Sequence, residues 1–70
     1  SPDVVVETPH YVYVMELKIN GDASAAMRQI DERHYVAPFA ADPRQVIKIG
    51  IGFSPAHHTV ASFEIARIVR

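Results

Sequence analysis

Tyr11-Val12-Tyr13-Val14-Met15-Glu16-Leu17-Lys18-Ile19 is the stretch whose reading decides the fold. It is rich in Tyr, Val and Ile, residues that suit a pleated, half-buried surface, and it reads as a β-strand. Side chains alternate along a strand. Val12, Val14, Glu16 and Lys18 therefore share one face, and Tyr11, Tyr13, Met15, Leu17 and Ile19 share the other. Two opposite charges thus close an otherwise apolar face. Desolvated charges are costly unless paired or bound to a metal, which makes this pair a candidate site. Alone, Glu-x-Lys on a strand also describes a solvated ion pair worth about 0–1 kcal/mol.

Upstream, Val4 to Val6 is a short β-branched run, and Thr8-Pro9-His10 is a turn signal. The two strands therefore form a hairpin. A loop of Thr8-Pro9 puts Asp3 opposite Val14 and diagonal to Glu16. A loop from Thr8 to Tyr11 puts Asp3 directly opposite Glu16. In both registers Asp3, Glu16 and Lys18 share one face. Cross-strand neighbours lie roughly 5 Å apart and diagonal ones roughly 7–8 Å, so the two carboxylates can share one divalent cation. Mg²⁺ takes a few carboxylate oxygens and keeps several waters. Two acids and a lysine then make a sensible phosphodiester-cleaving set.

Downstream, Asn20-Gly21-Asp22 breaks the strand. Asp22, or alternatively Ser24, is a helix N-cap. Ala23, Ala26, Met27, Ile30 and His34 fall at helical spacing, which predicts a helix from Ala23 to about Tyr35. Met27 and Ile30 belong to its core face. Residues Ala37 to Arg44 carry two prolines and read as a loop with one short helical turn at Pro38 to Ala41. Gln45 to Phe53 is a second strand. Its Ile47, Ile49, Ile51 and Phe53 form one face, and Val46, Lys48, Gly50 and Gly52 the other. Alternating glycines let another backbone or a helix come close. Ser54 to Thr59 is a loop holding His57-His58, and Val60 to Val69 is a last strand with Phe63, Ile65 and Arg67 on one side. Lys48 reads as an edge lysine, with a phosphate contact as the alternative. The order strand-strand-helix-strand-strand predicts an α+β fold, a mixed sheet with one main helix.

Composition narrows the function classes. The chain has 70 residues, 49% of them hydrophobic and 21% charged, with no Cys. Disulfides and thiolate zinc sites are excluded. No apolar run approaches the roughly 18 residues of a membrane span, and no targeting peptide is visible, so the expected location is cytoplasmic. Seven basic residues against eight acidic ones give no basic footprint for DNA. A chain this short buries only about 60% of its unfolded surface. With no disulfide staples, the expectation is a homo-oligomer.

Pro2-Asp3, twelve residues, then Glu16-Leu17-Lys18 resembles the motif of the PD-(D/E)xK nuclease superfamily. The likeness extends along the chain. After Tyr11 to Lys18 come Ala25-Ala26-Met27-Arg28-Gln29-Ile30, Tyr35-Val36-Ala37-Pro38-Phe39 and Ile47-Lys48-Ile49-Gly50-Ile51-Gly52-Phe53-Ser54. This series is similar to the nuclease-like C-terminal domain of bacterial proteins that also carry an AAA-type ATPase domain. The resemblance implies a restriction-endonuclease-like core and Mg²⁺ (or Mn²⁺)-dependent hydrolysis of DNA. Asp3 and Glu16 would be the metal-binding catalytic acids, the backbone carbonyl of Leu17 a further ligand, and Lys18 the catalytic lysine. Gln29 and Tyr35 would be supporting residues. The superfamily core begins with a helix and a strand before the Asp-bearing strand. Residues 1–70 therefore read as one partial domain lacking those two elements, impaired as an isolated chain. The alternative is an inactive nuclease fold kept for binding or oligomeric assembly.

Overall fold

β-branched and aromatic residues at alternate positions build four strands, and one amphipathic helix sits between the second and third. The computed structural model describes all 70 residues. The elements are β1 (Val4–Glu7), β2 (Tyr11–Ile19), α1 (Ala23–Glu32), β3 (Gln45–Ser54) and β4 (Thr59–Arg67), with a short 3₁₀ turn at Ala37–Phe39. They form one sheet in the order β1-β2-β3-β4. The hairpins β1–β2 and β3–β4 are antiparallel, whereas β2 and β3 run parallel. A parallel pair cannot be joined by a tight turn, so α1 supplies the crossover. The mixed α+β sheet with one main helix is as the sequence predicts.

The hairpin register places Val4 opposite Met15 and Glu7 opposite Val12. This is the longer-loop register, and carried one step on it sets Asp3 opposite Glu16. Thr8 decides it. Its N–H donates to the Tyr11 carbonyl at 2.8 Å, and its Oγ1 accepts from the Tyr11 N–H at 2.9 Å.

Asp22 is the N-cap of α1, its Oδ1 accepting from the Ala25 N–H at 2.8 Å. The helix ends at Glu32, three residues earlier than its apolar spacing predicts. His34 takes φ 55°, outside the helical region. The His34 N–H then donates to the Asp31 carbonyl and the Tyr35 N–H to the Ile30 carbonyl, a Schellman closure. The turn delivers Tyr35, Val36 and Phe39 onto the core cluster of Val12, Val14, Ile30 and Val46. Burial of those side chains outweighs another turn of helix. The predicted helical turn at Pro38 to Ala41 lies one residue earlier and is 3₁₀. β4 starts at Thr59 and stops at Arg67 rather than Val69. A bulge interrupts its ladder between Gly52 and Phe53.

All the packing is on one side. Val12, Val14 and Val46 face α1 and are buried. The opposite face has no covering layer. Leu17 and Ile19 are exposed there, and Phe63 and Ile65 are 67% and 61% exposed. At the sheet end away from Glu16, Arg44 is a clamp. It bonds Asp42 at 2.7 Å, Glu7 at 2.8 Å and the Thr8 carbonyl at 3.2 Å. The Arg44 guanidinium hydrogen-bonded to Asp42 lowers that carboxyl to a pKa of about 2. The hydrogen bonds that Arg44 donates to Asp42 and Glu7 hold it further above its ordinary value.

Candidate active site

β2 positions the site. Its last helix-facing side chains are Glu16 and Lys18, beneath α1. Glu16 is 4% exposed, the one charged residue among the buried set. A buried carboxylate is tolerated only when hydrogen-bonded. Glu16 Oε1 accepts from the Asp3 N–H at 3.1 Å, and Oε2 accepts from Gln29 Nε2. Lys18 Nζ in turn donates to Gln29 Oε1. One neutral amide on α1 therefore bridges the acid and the lysine. Tyr35 completes the set, its hydroxyl oxygen 3.4 Å from Gln29 Nε2.

Asp3 arrives from the start of β1. Its Oδ2 accepts from the Leu17 N–H at 2.8 Å, a bond in which Oδ1 takes no part. In a strand the N–H and C=O of one residue point to the same side, so the Leu17 carbonyl also faces β1. Carried two residues beyond Val4, the register would set Pro2 opposite Leu17, and proline has no N–H to give it. A proline there offers the Leu17 carbonyl no ladder donor, and the Asp3 carboxylate is bonded to the N–H of the same residue. The Pro-Asp pair thus has a physical sense. Proline releases an acceptor and the aspartate takes over the donor.

The residues expected to act together thus converge. Asp3, Glu16, Lys18, Gln29 and Tyr35 join one hydrogen-bonded group, with Leu17 as its backbone member. No group of three or more His, Cys, Asp or Glu able to hold a metal is found anywhere in the chain. The available donors are two carboxylates and one carbonyl, all oxygen. That chemistry fits Mg²⁺ or Mn²⁺, which take oxygen ligands, and Mg²⁺ commonly uses one or two carboxylates and completes its shell with water. The histidines lie elsewhere. His57 and His58 are exposed in the β3–β4 turn, His34 follows α1 and His10 is in the β1–β2 turn. Lys48 pairs with Asp31 of α1 at 2.7 Å, so it acts as a tether between helix and sheet. The Asp3–Leu17 anchor and the amide bridge have no signal in local spacing, because each joins segments distant in the chain.

A family model described as the PD-(D/E)XK nuclease superfamily matches residues 2–63. The chain belongs to the PD-(D/E)XK nuclease superfamily. The matched range includes Asp3, Glu16, Lys18, Gln29 and Tyr35. No curated protein and no solved structure matches the chain. No helix is long and apolar enough to cross a membrane. Asp3 stands just before β1, beside the end of β2, and α1 packs over the β2 side chains Glu16 and Lys18.

Proposed function

We propose that this PD-(D/E)XK chain carries a divalent-metal-dependent centre for phosphodiester hydrolysis on DNA. The observation behind it is the single hydrogen-bonded group formed by Asp3, Glu16, Lys18 and Gln29. Asp3, Glu16 and the Leu17 carbonyl would hold Mg²⁺ or Mn²⁺. When bound, the metal supplies Lewis-acid polarisation of a phosphoryl oxygen and acidifies a water. Lys18 places a positive charge where negative charge develops on the phosphate, or orients the attacking water for in-line displacement. Gln29 limits the rotamers of Lys18 and Glu16, so both are held before the substrate arrives. Tyr35 restrains the Gln29 amide in its turn.

The test combines metal titration and plasmid cleavage. Mg²⁺ should shift the NMR signals of Asp3 and Glu16. Lys18→Ala should retain that shift while cleavage falls on the order of 100- to 1,000-fold, the cost of losing one preorganised charge donor. Glu16→Ala should lose both. Chelation should stop cleavage by the unaltered chain. No Mg²⁺ or Mn²⁺ effect at Asp3 and Glu16, or equal cleavage by all three proteins, would sink the proposal.

Two observations favour a second reading, an inactive fold used for assembly. The sheet face opposite α1 is apolar and uncovered, and the net charge of −1 gives no electrostatic pull toward DNA. Under this reading a second copy of the chain covers the face. Metal-independent self-association without cleavage would support it.

A further inference from the structure

Gly50 and Gly52 stand opposite Glu16 and Lys18 in the parallel ladder, on the same side of the sheet. Both are buried. A Cβ on Gly50 would lie 2.6 Å from the Ala23 carbonyl oxygen and 2.8 Å from Met27 Cγ. A Cβ on Gly52 would lie 2.5 Å from the Gly21 carbonyl oxygen and 2.6 Å from Ser62 Oγ. The nearest atoms are backbone at the start of α1, which no rotamer change can clear. Ordinary contact begins at 3.4 Å, so a methyl at Gly50 would lift the start of the helix by about 0.8 Å.

That start is also tied down from the other side. The Ala23 N–H donates to Ser62 Oγ at 3.0 Å, and Ser24 Oγ donates to Glu64 Oε1 at 3.0 Å. Ser62 and Glu64 pair with Gly52 and Gly50 on β4. The glycines permit the approach and the β4 side chains hold it. Gln29 rides on this helix, and its amide reaches Lys18 and Glu16 together.

We propose that Gly50 and Gly52 are positioning residues for the site. They set the height of α1 above β3 and so fix the reach of the Gln29 amide to Lys18 and Glu16. The catalytic consequence rests on the nuclease reading; the placement of Gln29 does not. A misplacement of about 1 Å by a remote change costs on the order of 100-fold in rate.

The experiment follows the Gln29 side-chain amide by ¹⁵N NMR, with circular dichroism for folding and Mg²⁺-dependent plasmid cleavage for activity. In Gly50→Ala and Gly52→Ala the Gln29 amide signals should move toward the positions of a free amide, and cleavage should fall on the order of 100-fold. Val46→Ala, in the core at the far end of the sheet, should lower the melting temperature and leave those signals in place. A merely structural role for the glycines predicts the same behaviour in all three. Folded Gly50→Ala with unmoved Gln29 signals overturns the inference. If neither alanine variant folds, Ser62→Ala removes the β4 tether without adding an atom, and unmoved signals there overturn it equally. If the unaltered chain does not cleave but the signals move as described, the nuclease reading falls and the positioning inference is upheld.

Discussion

Two aspartates outside the site make separable contributions to stability. Asp22 caps α1 by accepting from the Ala25 N–H. Asp22→Ala leaves that donor unpaired, and urea denaturation should register a loss of about 1 kcal/mol. Asp42 acts through pH. The Arg44 hydrogen bonds lower its carboxyl from 3.8 to about 2 in the folded chain. A depressed carboxyl stabilises the fold above its unfolded value, and that contribution fades as pH falls from 3.8 through about 2. Melting temperature measured across this acid window should drop less steeply in Asp42→Asn than in the unaltered chain. The same variant at pH 7 should already be weakened, because the charge opposite Arg44 is gone. At this scale the sequence was informative. Asp22 precedes a helical apolar spacing and is legible as a cap. Glu7 is not legible as a partner of Arg44, because it lies 37 residues away on β1.

At the scale of elements, β2 carries the most information. Its alternation separates Val12, Val14, Glu16 and Lys18 from the residues of the open face, and the three buried residues of the strand, Val12, Val14 and Glu16, all fall on the first face. The hairpin register was open between two loops. The Thr8–Tyr11 pairing closes it in the version that sets Asp3 opposite Glu16. The end of α1 departs from its apolar spacing for a definite reason. His34 continues the apolar spacing in the sequence but adopts φ 55°, since turning there carries Tyr35 to the core. His34→Gly should therefore be tolerated or stabilising by up to about 1–2 kcal/mol, the strain of a left-handed non-glycine residue. Thermal denaturation checks this, and a clear fall in melting temperature would contradict it. The glycines of β3 were legible as a close approach, but what approaches them was not. Only the packed helix identifies the Ala23 and Gly21 carbonyls as the atoms a side chain would strike.

For the molecule as a whole, the decisive feature is its one-sided packing. Helix α1 covers one face, while Leu17, Ile19, Phe63 and Ile65 stand on the other in contact with solvent. Contiguous apolar surface of this kind drives association. Sedimentation velocity should show the chain self-associating, with Phe63→Glu and Ile65→Lys together shifting it to monomer. A stable monomer before substitution would remove the homo-oligomer expectation. The sequence by itself determined the strand-strand-helix-strand-strand order, the face shared by Glu16 and Lys18, and the all-oxygen character of the candidate site. These are local properties, set by residue type and by periods of two and 3.6. Tertiary structure alone decided that Gln29 stands between Glu16 and Lys18, that Asp3 takes the Leu17 amide, and that Arg44 clamps the far end. Each of these joins segments far apart in the chain. Their meeting depends on the register of the hairpin and the height of the helix, which no local pattern encodes.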